Sequence, residues 1–467
     1  MNIISVIHNE ERLHWRQVLK CVWYLSIPAI LSQMTYIIME YIDAAMVGSM
    51  GAAATASIGL VAPVLWLAYG VCSAAVQGFS VQVAQFVGAK NLIYSRDTFR
   101  QGIILVTCLA ICIGTVGVLI SPHLPNWLGG SQEIYGGAYD YFVVYMWGMP
   151  IIMLRILATS MLQSCGSIKT ASIFNSIMCL LDIGFNALFI FPAGYISFLS
   201  IDIWLPGLGF GVKGAALGTL AAEAVTACIL MYLAVVRENY IRQKDGVQWH
   251  ITPKCVGDAF KISVPIAIEQ GVLTGAMIVM MLIVSPLGTV AIAANSFGIT
   301  AEAFCYMPGY GIAIAATTLV GQSIGAGKPY FARGFAWFSV GMGMVTMGIL
   351  AGIMYVFAPW VFEFLTPDIN VRQLGTEVLR IQLFAEPFFG AAIVGAGALR
   401  GARDTVFSSG INLASMWGVR MPLALYLVGS HGLHGVWMAM CIEVCVRGML
   451  FLFRVHRQKW NNRGSMV

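Results

Sequence analysis

The sequence predicts an all-α membrane protein of twelve transmembrane helices, arranged as two six-helix bundles related by a parallel internal repeat. Three observations lead there. The chain of 467 residues is 59% hydrophobic and only 10% charged, with a mean hydropathy of +0.81, far from the usual composition of a soluble domain. Long stretches such as residues 51–87, 101–132 and 334–362 carry almost no charge, and a helix needs ~20 apolar residues to cross a bilayer. The chain also matches itself at an offset of 237: Pro28 with Pro265, Gln33 with Gln270, Gln85 with Gln322, Gly88 with Gly325, Pro150 with Pro387 and Asn175 with Asn412.

Breaks at charge, glycine and proline clusters place the spans near 21–46, 54–83, 100–121, 138–162, 168–192, 212–236, 258–284, 290–319, 333–359, 376–399, 405–429 and 433–455. Short alternating segments of the barrel kind are absent, so helices are the way to satisfy every backbone group in lipid. Lysine and arginine gather on one side, from Arg12, Arg16 and Lys20 through Lys90, Lys244, Lys328 and Arg400 to Lys459 and Arg463. The other side holds little beyond Lys213, Arg372 and Arg380. This bias predicts cytoplasmic termini and accounts for the net charge of +5 without a nucleic-acid partner.

The offset carries span 1 onto span 7 and span 4 onto span 10. Each unit therefore has six spans and both enter from the same side, as parallel repeats packed about an axis along the membrane normal do. The expected organisation is a cytoplasmic N-terminal segment at 1–20, a first lobe at 21–236, a hydrophilic linker at 237–254, a second lobe at 255–455 and a cytoplasmic tail at 456–467. Gly211 matches Gly432 at an offset of only 221, so the first half carries about 16 extra residues between spans 5 and 6, expected to form an external cap or hairpin. The eleven cysteines show no disulfide framework or zinc spacing. Most, including Cys72, Cys108, Cys112, Cys179 and Cys228, fall inside spans as small packing residues. The glycine-rich strings after spans 2 and 8 lack the GxxxxGK[ST] spacing of a nucleotide cradle, which argues against an ATPase, and nothing points to an enzyme or to a cofactor.

Acids inside spans are costly, ~2.5–3.5 kcal/mol each on insertion scales, and usually have a reason to be there. The repeat sorts them. Adding 237 turns Asp43 into Met280 and Asp182 into Val419, so these two carboxylates stand outside the shared scaffold. Tyr36, Glu40 and Asp43 fall at i, i+4 and i+7 on one stripe of span 1. Asn175, Asp182 and Asn186 form a second stripe on span 5. Were the two stripes to face each other, carboxylates and neutral oxygens would converge on a cation site, since hard cations want oxygen and paired carboxyls hold a proton.

Several strings, in order, resemble the multidrug and toxic compound extrusion (MATE) exporters. They are Ser26-Ile-Pro-Ala, Glu40-Tyr-Ile-Asp-Ala-Ala-Met-Val-Gly, Val83-Ala-Gln-Phe-Val-Gly-Ala-Lys, the run Leu319 to Gly327 (LVGQSIGAG), the run Gly397 to Thr405 (GALRGARDT), and Arg420-Met-Pro-Leu. Each is weak alone; together they cover nearly the whole chain. The resemblance implies a secondary active efflux antiporter in the cytoplasmic (inner) membrane, exporting organic cations or amphiphiles in exchange for H+ or Na+ by rocker-switch alternating access. It puts Asp43 and Asp182 at the coupling-ion positions, with Thr219 of span 6 adding a hydroxyl; Glu40, Asn175 and Asn186 of the two stripes complete the candidate cation-coupling set. Tyr36, Met39, Met178, Glu269, Gln270 and Met280 are then expected along the substrate cavity. The family often has Asn one turn before the span-5 Asp, where this chain has Met178. Methionine is a poor sodium ligand, so the choice between Na+ and H+ stays open. The expected partners are small organic molecules and membrane lipid, and the expected state is a monomer.

The remaining embedded charges have blander readings. Glu443 and Arg447 at i, i+4 on span 12 suit an intrahelical ion pair. Arg155 and Arg420 suit neutralisation of nearby acids, and Glu223, Glu302 and Glu386 admit structural or functional roles. The alternative function is a flippase for lipid-linked glycans. Its phosphates call for a cluster of arginines in the cavity, and only Arg155 and Arg420 are candidates.

Overall fold

The computed structural model describes residues 3–10, 14–198, 201–243, 250–457 and 460. Arg12, Lys244, Lys459 and Arg463, with most of the expected tail, lie outside them.

Long apolar helices dominate: α1 (Ile3–Asn9), α2 (Trp15–Gly48), α3 (Ala52–Gly88), α4 (Leu92–Ile120), the single turn α5 (Leu124–Trp127), α6 (Gln132–Ser164) and α7 (Ile168–Ile190). After the hairpin β1 (Pro192–Phe198) and β2 (Ile201–Leu208) follow α8 (Gly211–Tyr232), α9 (Pro253–Val284), α10 (Thr289–Gly325), α11 (Pro329–Leu365), α12 (Ile369–Leu383), α13 (Glu386–Gly401), α14 (Thr405–Ser415) and α15 (Met421–His456).

Twelve spans follow from these among the described residues. Ten helices are long and apolar enough to cross, and α12 with α13, bent by 57°, makes one broken span more. The stretch Thr405–His456 has 52 residues, or ~78 Å of helix, far more than the ~30 Å hydrocarbon core. It breaks at Gly432, whose φ of 54° and ψ of −134° are not helical. Two spans meet there, close to the break expected between 429 and 433. The protein is a multi-pass membrane protein. Span 10 differs from expectation in being broken: Phe384 and Ala385 carry the bend, and Pro387 sits in the first turn of α13, where its missing N–H has no bond to lose.

The extra segment between spans 5 and 6 is the antiparallel β1/β2 hairpin, in register Pro192 with Leu208 and Ile196 with Ile203. Its base is closed by backbone bonds from Gly209 N to Phe191 O (2.8 Å) and from Phe210 N to Phe189 O (2.9 Å). The cysteines are all free. Cys72 and Cys179 pack inside as expected, whereas Cys108, Cys112 and Cys228 are exposed on apolar helix faces, so they contribute lipid-facing surface instead of core.

Two compact units emerge from the packing: residues 35–83 with 92–263, and residues 1–34 with 84–91 and 264–467. In the first, the stretch after α8 is tied back to α4, where Gln101 exchanges hydrogen bonds with the backbone and hydroxyl of Thr252 (3.0 and 2.8 Å) and Arg96 reaches Asn239 O (3.0 Å).

In the second unit the repeat touches itself. A Cβ on Gly88 would run into the backbone carbonyl of Gln322, and one on Gly325 into that of Gln85. The two contacts interchange under the 237-residue offset, so the ends of α3 and α10 cross at backbone distance because both positions are glycine. Gln85 Nε2 also donates to Gly401 O (3.2 Å). Over this crossing lies α1: Ile4 and Ile7 are buried, His8 Nε2 is 2.8 Å from Gly88 O, and Lys328 Nζ donates to the carbonyls of Ile7, His8 and Glu10 at 2.7, 3.0 and 2.7 Å. A cation on the last carbonyls of a helix satisfies acceptors that have no partner within it.

Candidate functional site

The first unit holds a cavity of about 550 Å³, with Tyr36, Met39, Glu40 and Asp43 of α2, Trp66 and Tyr69 of α3, Tyr141, Tyr145 and Arg155 of α6, Met178 and Asn186 of α7, and Thr219 and Glu223 of α8 on its walls. Such a wall, largely apolar and aromatic with a few polar groups, is the usual build of a small-molecule site.

Its polar end is the acid pair. Asp182 and Asn186 are one turn apart on α7, both buried, and Asn186 Nδ2 donates to Asp182 Oδ2 and Asp43 Oδ1, each at 3.0 Å. One amide thus bridges carboxylates from spans 1 and 5. Gly218 of α8 leaves the space for it, since a Cβ there would strike Asn186 Oδ1. Asp43 and the Thr219 hydroxyl both approach the Asp182 carboxyl, yet Asp182 Oδ1 and Asn186 Oδ1 have no hydrogen-bond partner of good geometry. Buried oxygens left without a partner are costly, and oxygens so placed suit a proton or a small hard cation. Met178, one turn before Asp182, packs with Met39, Cys179 and Ala222 and adds only a thioether. Among the described residues no group of three or more His, Cys, Asp or Glu is arranged to hold a metal ion.

The second polar group is an ion pair, Arg155 Nε with Glu223. Asn175 belongs here: its Oδ1 accepts from Arg155 Nη1 (3.1 Å) and from Thr159 Oγ1 (3.3 Å). It holds the guanidinium two turns from the acids it was expected to join. Glu223 meets Arg155, neither the Asp pair nor the membrane surface.

Of the residues expected along the substrate cavity, Tyr36, Met39 and Met178 line it, while Glu269, Gln270 and Met280 belong to the other unit. Glu269 is 3% exposed and saturated with donors: Ser409 Oγ at 2.6 Å, Asn412 Nδ2 at 2.5 Å and Arg400 Nη2 at 3.4 Å. Met280 packs with Ala276, Met416 and Met421. The i, i+4 pair on span 12 is present, Arg447 Nε to Glu443 Oε1 at 3.2 Å, and Arg420 joins it at 2.6 Å. Gln382 Nε2 donates to Glu302 Oε1 (3.1 Å), and the buried Glu386 carboxyl approaches that of Glu302.

Sequence reasoning missed the aromatic wall. Tyr141 and Tyr145 have ring centroids 4.9 Å apart and, with Trp66 and Tyr69, supply most of the cavity's ring surface. Their i, i+4 spacing on span 4 was the available signal.

The MatE family model matches residues 28–188 and again 265–426, two copies beginning 237 residues apart. The chain belongs to the MatE family. Its MatE relatives include a probable multidrug resistance protein NorM from Thermotoga maritima, 27% identical over 457 residues that cover 95% of this chain and 93% of that protein. The multidrug resistance protein MdtK of Yersinia pseudotuberculosis is 22% identical over 92% of this chain and 93% of its own. Among solved structures, MATE in complex with MaL6 superposes with a TM-score of 0.88 at 19% identity, over 98% of this chain and 99% of that one. An outward-facing multidrug resistance MATE transporter of the MOP superfamily gives 0.87 at 20% identity, over 96% and 100%. These likenesses show that the MatE fold extends along the whole chain.

Proposed function

We propose that this MatE protein is a secondary active multidrug efflux antiporter of the cytoplasmic membrane, with both termini cytoplasmic, exporting organic cations or amphiphiles in exchange for H+ or Na+. The observation that carries the reading is the Asn186-bridged Asp43/Asp182 pair, with two unpartnered oxygens, at the end of an aromatic cavity. The multidrug resistance names of its relatives support export.

Coupling follows from the oxygens. A proton shared by the pair, or a cation on Asp182 Oδ1, Asn186 Oδ1, Asp43 and Thr219, removes the repulsion between the carboxylates and draws α2 toward α7. Loss of that ion separates them, and the cavity wall carried by α2 moves with Asp43. Lobes at 21–236 and 255–455, joined by the linker at 237–254, would rock about this change, with the crossing at Gly88 and Gly325 closing one end. One charge moving through 100 mV supplies ~2.3 kcal/mol, about fiftyfold in gradient at ~1.4 kcal/mol per decade. That drive cancels if one monovalent cationic substrate leaves per ion. The lipid-linked glycan alternative has less support, because among the described residues the cavity is lined by a single arginine, Arg155, and that one is engaged by Glu223.

The test is exchange in proteoliposomes loaded with a fluorescent organic cation, with a proton or a sodium gradient imposed separately. Efflux accelerated by one gradient is expected. Efflux indifferent to both overturns antiport.

A further inference from the structure

The cavity sorts its acids into two that are engaged and one that is not. Glu223 is neutralised by Arg155. Asp43 is tied through Asn186 to Asp182. Glu40, also on the wall, is exposed and takes part in none of the ion pairs formed by the described residues. Its near neighbour is Tyr36, one turn earlier on α2, whose hydroxyl donates to it.

A carboxylate in an apolar, water-accessible cavity attracts a positive charge from whatever enters. The rings of Tyr36, Trp66 and Tyr69 on the same wall offer faces that favour a diffuse cation over a compact hydrated one. A small inorganic cation would find a single carboxylate and a phenol here, a poor oxygen set beside that of the Asp pair. We propose that Glu40 anchors the positive charge of the transported compound, a lipophilic monocation with aromatic faces, while the Asp43/Asp182 pair takes the coupling ion.

The assignment rests on the export reading and deepens it, because Glu40 and Asp43 are three residues apart on one helix stripe. Their Cα atoms are separated by about 4.5 Å along the axis, which brings the charges held on the two side chains near enough for each to disfavour the other. Substrate and ion then compete by repulsion across one turn of α2, without sharing a ligand. Exchange needs this antagonism, since a carrier that held both would move them in the same direction.

The experiment measures equilibrium binding of tetraphenylphosphonium and of uncharged triphenylphosphine oxide to the purified full-length protein, for wild type, Glu40→Gln and Asp43→Asn. Glu40→Gln is expected to weaken tetraphenylphosphonium at least tenfold and to change triphenylphosphine oxide less than twofold, which also shows that the cavity is folded. Asp43→Asn is expected to retain tetraphenylphosphonium but to lose the displacement of it by protons or sodium. Equal loss of both probes in Glu40→Gln, or unchanged tetraphenylphosphonium binding there, overturns the assignment and leaves the export reading standing. Wild type that binds neither probe overturns the export reading, and the assignment with it.

Discussion

Asn186 donates to Asp43 at 3.0 Å across 143 residues of sequence, and this amide is what makes one unit of acids on two different helices. With the amide in place, Asp43 and Asp182 sit close enough to share a positive charge. Without it, the half-buried carboxylate of Asp43 and the buried one of Asp182 face each other directly.

Removing the bridge therefore acts on coupling before it acts on substrate. Asn186→Ala is expected to reduce ion-driven transport at least tenfold, about 1.4 kcal/mol, and to leave binding of an uncharged amphiphile within twofold. Transport assays and binding on the same preparation check this; a variant that couples normally would show that the acids do not depend on the bridge.

The Arg420–Glu443–Arg447 cluster makes a contrasting prediction, about stability. Glu443 is fully buried between two guanidinium groups. Replacing one partner of a buried pair strands the others and typically costs ~3–5 kcal/mol. Glu443→Leu should lower the thermal midpoint in detergent clearly below that of wild type, whereas Asp43→Asn should not.

The crossing of α3 and α10 predicts a conformational phenotype. Gly88→Leu and Gly325→Leu each force a side chain into a backbone carbonyl, and by the repeat the two should behave alike. Both are expected to open this end, read as faster hydrogen exchange in residues 84–91 and 322–328 with the rest of the chain unchanged. Unequal effects of the two would contradict the symmetric contact.

Lys328 predicts the grip of the N-terminal helix. Its three charge-assisted bonds to the end of α1 are worth ~1.5 kcal/mol or more each when made to a charged group. Lys328→Met should accelerate amide exchange in residues 3–10 by at least tenfold. Exchange at the wild-type rate would mean that the buried Ile4 and Ile7 hold α1 without it.

Much of this was legible in the sequence for physical reasons. Span number, the break near Gly432 and the hairpin between spans 5 and 6 follow from hydropathy and from a repeat whose offset drops where residues are inserted. That Asp43 and Asp182 stand outside the shared scaffold was legible because the repeat lacks both; that they meet was expected from the family resemblance, which implies that spans 1 and 5 face each other. Asn175 was misplaced because stripe position on α7 fixes a helix face, while its partner depends on depth: Arg155 sits at the level of Asn175, Asp43 at the level of Asn186. The bend in span 10 had a local mark, Pro387, which hydropathy passes over. The α1 cover was invisible for a different cause: it rests on contacts of Lys328 with residues more than 300 positions away, which no local pattern encodes.

The most direct test is uptake of a fluorescent organic cation into everted membrane vesicles under an imposed ion gradient, wild type against Asp43→Asn. Gradient-driven uptake that falls to the gradient-free level in the variant, with equal protein in the membrane, is the predicted result. Uptake that survives the substitution with its ion dependence intact would contradict the central claim that the Asp43/Asp182 pair carries the coupling ion.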